Sequence, residues 1–527
     1  MADHAKAHPM ASPRPAKSGM QKVLDAVERI GNKVPHPAVI FILLILVIIV
    51  LSQLLQMLGA GATYESINPD THQAEEVTTT VKSLLSGPGI AFMYEDMIKN
   101  FMNFTAMGVI IVAMLGVGVA EAAGLIKALI RRLVATAPAK ALTYILVFAG
   151  IVSSIAADAG YLVLIPLGAA AFLSVGRNPL VGLACSFAAV ASVFAANILV
   201  KPLDGILQGI TNDAIHLMNP NENISLTANF WFSAASAIVL TLVCGFITDK
   251  WIEPRMGPYQ PSKEILEEEG ASAKEADISD ADQSRGLKYA LWATLACLLL
   301  FALLVLPPGA PLRSAETGAI MGDSPFMNGL IVLIAVVFLV AGAAYGFGAR
   351  TMKGSNDVIK AMEKSTIGLG GLIFLFFFIA QFIALFTYTN IATVAAVKAG
   401  DWLQSLGLGP LTLLVGFVII TMILDLLVTG AIPKWAIFAP VFVPLLMRLG
   451  MRPEAVLAAY RVGDSPVNAI TPMMPYFPLI VGFAFKYDKK AGVGTVVAMM
   501  LPYVIVISVV WLIMLVLWDV LGIPWGF

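Results

Sequence analysis

The chain has 527 residues, 58% of them hydrophobic and 13% charged, with a formal net charge of −1. Soluble domains carry about 25% charged residues, so a soluble globular protein is excluded, and the near-zero charge gives no footing for a nucleic-acid partner. Apolar runs of the length that crosses hydrocarbon, about 17–25 residues, recur from Pro37 to Asp519, which predicts an all-α integral membrane protein throughout.

Residues 1–36 form a polar tail without the apolar core and cleavage site of a signal peptide, and are expected in the cytoplasm. Lys and Arg in short loops stay on the cytoplasmic side, and this sets the orientation of each span. The first half, 37–252, opens with spans at 37–58 and 105–125. The loop between them, with Glu65, Asp70, Glu75 and Glu76, suits the outer side, and Lys127, Arg131, Arg132 and Lys140 come next inside. The block 141–175 breaks at SSIAADAGY and ends at another positive point, Gly176-Arg177-Asn178. A block that leaves one side and returns to it is a re-entrant hairpin, with Ser153, Ser154, Asp158 and Gly160 at its tip. Spans at 179–202 and 230–250 complete the half, and the charged stretch 253–286 reads as a cytoplasmic linker or a regulatory segment.

The second half, 287–527, repeats the plan with spans at 287–306, 327–349 and 368–388, then a hairpin at 410–449 broken at LDLLVTGAIPKW. A span at 454–485, itself broken by GDSPVNAITPMMPYFP, and a last span at 493–518 bring the expectation to nine transmembrane helices plus two re-entrant hairpins. Setting residue n against n + 274 pairs Tyr161 with Trp435, Pro166 with Pro440, Gly176 with Gly450, Pro179 with Pro453 and Ala184 with Ala458. The first hairpin enters from inside and the second from outside, so the repeat is expected to be inverted, a recurrent signature of alternating-access transporters.

A backbone that leaves helix geometry in hydrocarbon survives only when buried in protein or lining a wet cavity. Both hairpin tips and both broken spans are therefore expected at the substrate path. Arg461 and Asp464, three apart on one helical face, are the sharpest candidates. Arg461 offers a guanidinium fork to an anionic group and Asp464 a proton or sodium site; the alternative is a structural ion pair fixing the helix break. Asn468 and Thr471 offer neutral oxygens beside them. Asp204 is the acidic candidate of the first half, or else an exposed residue at a segment end that Lys201 neutralises. Asp158 and Asp425 are further carboxylates in apolar surroundings. Trp435 and Tyr161, at one repeat position, either stack on an aromatic substrate or pack hairpin against helix. Cys185, Cys244 and Cys297 have no paired spacing. No Walker loop, metal spacing or nucleophile–His set occurs, so the chain is read as a non-enzyme without cofactor, using H+ or Na+ as coupling ion.

GDSPVNAITPMMPYFPLI and PKWAIFAPVFVPL, set in the two-hairpin layout, resemble the AbgT family over nearly the whole chain. The resemblance implies a homodimer in the lipid of a bacterial inner membrane, with an inward-facing bowl. It also implies import of p-aminobenzoyl-glutamate or export of sulfonamide antimetabolites, driven by an ion gradient. By motif it assigns transport to Asp204, Trp435, Pro453, Arg461 and Asp464. Ile432, followed by Pro433, stands where the family usually shows a small or hydroxyl residue three before the tryptophan, and Asp425 stands where Asn is expected. A dicarboxylate or other organic-anion symporter of the same broad superfamily is the alternative, although such carriers show Ser-Asn-Thr hairpin tips that SSIAAD and TGAIPK do not match.

Overall fold

A computed structural model describes residues 35, 37–67, 74–135, 138–139, 141–156, 160–262, 265, 279–320, 324–405, 409–426, 430–471 and 474–527. Asp158 and, within the 253–286 stretch, residues 263–264 and 266–278 lie outside them. Among the described residues, eight helices are long and apolar enough to cross a membrane. Seven fall on expected spans, and the eighth is the second limb of the 410–449 block.

The first is α1 (Pro37–Met57), whose near-continuous Val, Ile and Leu leave most of its surface facing outward. The 59–100 stretch, read from sequence as a plain loop, instead holds an antiparallel ribbon, β1 (Gly61–Ile67) on β2 (Ala74–Thr80), in the register Gly61 to Thr80. Its Thr and Val residues favour extended backbone. Two short helices, α2 (Gly87–Glu95) and α3 (Met97–Met102), lead into α4 (Thr105–Ala123) and α5 (Leu125–Ala135).

The block 141–175 forms α6 (Leu142–Ser153) and α7 (Ile165–Ser174), with a π-turn at Gly160–Leu164 before α7. The expected span at 179–202 is not a continuous helix. It is α8 (Pro179–Phe187), a π-turn at Ala188–Ser192, non-helical backbone to Lys201, and then α9 (Pro202–Ile215). After α10 (Phe230–Ile247), the second half contains α11 (Asp280–Val305), α12 (Leu330–Gly348), α13 (Ser355–Gly368), α14 (Gly370–Tyr388) and α15 (Ile391–Ser405). Next come α16 (Pro410–Asp425) and α17 (Ala431–Arg448), the limbs of the second hairpin. The expected span at 454–485 is likewise split, into α18 (Pro453–Asp464), a 3-10 turn at Pro466–Ala469 and α19 (Phe477–Tyr487). Prolines lack the N–H that would continue the ladder, which is why Pro466 and Pro478 fall at this interruption. The last helix is α20 (Val493–Val520).

The sequence register of 274 reappears in the backbone. At the end of α7, Gly176 donates to Leu173 O (3.0 Å) and Arg177 to Phe172 O (2.8 Å); at the end of α17, Gly450 donates to Met447 O (2.9 Å) and Met451 to Leu446 O (2.9 Å). Gly176 and Gly450 have φ of 75° and 86°, the left-handed conformation that closes a helix and favours glycine. Beyond these turns, Asn197 Nδ2 donates to Val152 O at 3.4 Å and Ile151 O at 3.2 Å. The register-equivalent Thr471 Oγ1 donates to the equivalent Leu426 O at 3.0 Å. Each broken segment is thus tied to the tip of its own hairpin by the same contact. The two interruptions also pack on one another.

Because both glycines occupy the left-handed region, Gly176→Ala and Gly450→Ala should each lower stability by about 1–2 kcal/mol. Thermal unfolding of the purified protein checks this; a lowered transition in only one of the two variants would contradict the equivalence of the turns.

Candidate functional site

Among the described residues, six charged side chains are buried: Lys201, Asp204, Asp425, Lys434, Arg461 and Asp464. All belong to the two breaks or to the second hairpin. The three acids balance the three bases, and they divide into two groups joined through α18.

The first group links the halves. Asp204, in the first turn of α9, accepts from the Lys201 backbone N–H through Oδ2 (2.8 Å) and from Arg461 Nη1 through Oδ1 (2.5 Å). Arg461 Nε is buried without a hydrogen-bond partner. Lys201 does not use its ammonium on Asp204. Instead Nζ donates to Phe194 O (2.5 Å) and Ser154 Oγ (3.3 Å) and lies 4.8 Å from the Phe194 ring centroid. It therefore fastens the unwound backbone to the tip of the first hairpin. Ser465 Oγ accepts from Ala195 N (3.1 Å) and donates to Arg461 O (3.0 Å), a second link between the breaks. The reading of Asp204 as an exposed segment end does not hold, since the residue is 8% exposed.

The second group lies within the second half. Lys434, the fourth residue of α17, is paired to Asp425 Oδ1 and stands 2.7 Å from Asp464 Oδ1. The Tyr460 hydroxyl reaches both Ala431 O and Asp464 Oδ1, the latter at 3.0 Å, so one proton serves two acceptors. Asp425 Oδ2 is buried without a partner. The three charged side chains are 3% exposed or less. Gly463 makes this approach possible: a Cβ there would come within 2.6 Å of Thr421 on α16.

Arg461 and Asp464, adjacent on one face as their spacing predicts, therefore serve different partners rather than each other. Trp435 is fully buried. Its Nε1 donates to Thr211 Oγ1 (3.0 Å) and Leu207 O (3.2 Å) on α9, and its ring stacks on Tyr460 at 4.6 Å. Tyr161 stacks on Tyr476 at 4.6 Å, so both repeat-related aromatics pack hairpin against helix. Pro453 is the buried first residue of α18, where a missing N–H costs nothing. Asn468 Nδ2 donates to Asp464 O at 3.0 Å, and Thr471 holds Leu426 O at the second hairpin tip. Among the described residues, no group of three or more His, Cys, Asp or Glu could hold a metal ion.

Lys434 is the member that sequence reading missed. Its signal was present, because a lysine inside an apolar hairpin limb is an intramembrane charge.

A model of the AbgT putative transporter family matches residues 22–527. The chain belongs to the AbgT family. It is 36% identical over 512 residues to the p-aminobenzoyl-glutamate transport protein of Escherichia coli (strain K12), with 97% of each chain covered. Two solved AbgT-type structures superpose closely. The YdaH transporter of Alcanivorax borkumensis is 39% identical with a TM-score of 0.85, covering 94% of this chain and 100% of that one. MtrF of Neisseria gonorrhoeae, described as illuminating a class of antimetabolite efflux pumps, is 38% identical with a TM-score of 0.87, covering 94% and 97%. The chain is thus a multi-pass membrane transporter, and its relatives are transporters rather than enzymes.

Removing one partner of a buried ion pair costs about 3–5 kcal/mol. Lys434→Met, which strands two carboxylates, should therefore destabilise the protein by about that much, whereas Asp425→Asn should cost far less because Lys434 keeps Asp464. Chemical unfolding of the two variants measures the difference; equal losses would contradict the shared ammonium.

Proposed function

We propose that this chain is an ion-coupled secondary transporter of p-aminobenzoyl-glutamate or related aromatic amides, working by alternating access. In the same reading it also accepts sulfonamide antimetabolites, which share the para-substituted aniline. The observation that carries it is Arg461 held on Asp204: a guanidinium with a spare buried donor, at the point where the broken helices of both halves meet. A substrate carboxylate or sulfonyl group offers that donor a planar acceptor. The pair joins one half to the other, so an anion competing with Asp204 for Arg461 loosens the contact between them. That gives a substrate differential affinity for two conformations, which alternating access requires.

The architecture that fits is nine transmembrane helices and two re-entrant hairpins in inverted halves, 37–252 and 287–527, around the 253–286 linker. The split spans at 179–202 and 454–485 complete the nine, and the hairpins are 141–175 and 410–449. The chain is placed in a bacterial inner membrane as a homodimer with the 1–36 tail cytoplasmic, coupled to a proton or sodium gradient. In this scheme Asp204, Arg461 and Asp464 handle substrate and ion, while Trp435 and Pro453 hold the second hairpin and α18 in register. Asp425, Asn468 and Thr471 supply the surrounding oxygens, and Asp158, outside the described residues, stays a candidate on its sequence position alone.

Counterflow of labelled p-aminobenzoyl-glutamate in proteoliposomes, under separately imposed proton and sodium gradients, tests the reading. Arg461→Ala should weaken substrate binding by about 100-fold, and Asp464→Asn should leave binding while abolishing the response to the gradient. Wild-type flux in Arg461→Ala, or counterflow with succinate in place of the aromatic amide, would overturn it.

A further inference from the structure

The two groups of buried charges are individually unbalanced. Lys201, Arg461 and Asp204 sum to one positive charge, and Asp425, Lys434 and Asp464 to one negative charge. Each pole also carries one buried atom without a hydrogen-bond partner, and the atoms are complementary in kind: a donor, Arg461 Nε, at the positive pole and an acceptor, Asp425 Oδ2, at the negative pole. While the site is empty the poles offset one another. An anionic group that binds at Arg461 cancels the positive pole and leaves the negative one buried and uncompensated, which a low-dielectric interior penalises heavily.

We propose that Asp425 is the proton-carrying group of this site, taking a proton on Oδ2 together with an anionic group at Arg461, so that the two loads are bound cooperatively. This rests on the transporter reading, names its coupling ion and moves the ion site from Asp464 to Asp425: Asp464 acts by sharing the Lys434 ammonium, so that Asp464→Asn leaves the ammonium to Asp425 alone and removes the excess negative charge that calls for a proton.

Three observations single out Asp425. It is the last residue of α16, so its charge stands at the negative end of the helix. Its Oδ2 has no hydrogen-bond partner, and the Tyr460 hydroxyl already divides its one proton between Ala431 O and Asp464 Oδ1. The place between Asp425 and Asp464 that a metal cation would need is filled by the Lys434 ammonium. A proton needs no such place, only the unpartnered Oδ2.

The titratable groups facing Asp425 are Lys434 on α17 and Tyr460 and Asp464 on α18. The 3-10 turn Pro466–Ala469 contributes none. On α20, Tyr503 is engaged with Thr248 at 2.6 Å, and Asp519 interacts electrostatically with Arg452, which precedes the first residue of α18. In the proposed cycle the proton arrives from water on the open side, neutralises Asp425 as the anion meets Arg461, and leaves with it on the other side. Asp464 remains paired to Lys434 throughout.

Two measurements on the full-length protein in liposomes test this. Infrared difference spectra on acidification should show the C=O stretch of a protonated carboxyl that is missing in Asp425→Asn, restored at a shifted position in Asp425→Glu, and indifferent to sodium at constant ionic strength. Calorimetry with p-aminobenzoyl-glutamate in buffers of different ionisation enthalpy should show uptake of about one proton per ligand in the wild type. Affinity should then fall about tenfold per pH unit above the titration, and Asp425→Asn should bind without uptake or pH dependence. An identical carboxyl band in Asp425→Asn, its displacement by sodium, or undiminished proton uptake in that variant would overturn the assignment. If the band behaves as expected but wild-type protein does not bind the probe, the substrate reading fails and the proton site stands.

Discussion

Backbone that leaves the helix inside an apolar bundle has no water to bond with, and the whole centre of this protein is shaped by how that demand is met. Asn197 and Thr471, equivalent in the repeat, each tie a broken segment to carbonyls of its own hairpin tip. Each half therefore carries its interruption and its hairpin as one unit. Because the interruptions pack on each other, the polar atoms that satisfy one half become neighbours of those that satisfy the other. Among the described residues, the buried charged side chains all gather here.

The charges then arrange themselves by what each element can offer. α9 presents Asp204 at its N-terminal turn, where a carboxylate is favoured, and Arg461 reaches it from the other half. The second hairpin brings Asp425 and Lys434 together across its tip, and Gly463 lets α18 approach closely enough for Asp464 to share the ammonium. α18 thus holds one residue of each pole three positions apart. A movement of this single helix would change both poles together, a direct route for coupling substrate to ion.

Much of the fold was legible because hydropathy and charge report directly on membrane crossing. The breaks were legible because Gly, Pro and Asp have no reason to interrupt apolar runs unless something is built there. The register pairing Gly176 with Gly450 was also visible, and it marks equivalent left-handed turns. What sequence spacing could not supply was partnership across space. Arg461 and Asp464 look like a pair on a helical wheel, yet their partners come from 257 positions upstream, in Asp204, and from the facing hairpin limb, in Lys434. Lys434 was passed over because its nine-residue separation from Asp425 matches no helical period, and only a hairpin makes it short. The ribbon at Gly61–Thr80 was missed for a related reason, since a two-stranded element leaves little imprint on hydropathy.

The most direct test of the central claim, that two inverted halves open this site to one side of the membrane at a time, is the sidedness of a single cysteine. With Cys185, Cys244 and Cys297 replaced, a cysteine introduced at Asn468 can be reacted with a membrane-impermeant thiol reagent from either face, under opposite imposed gradients. Alternating access predicts labelling from one side only, with the labelled side switching when the gradient is reversed. Simultaneous labelling from both sides, unchanged by gradient or substrate, would contradict it and indicate a continuous pore.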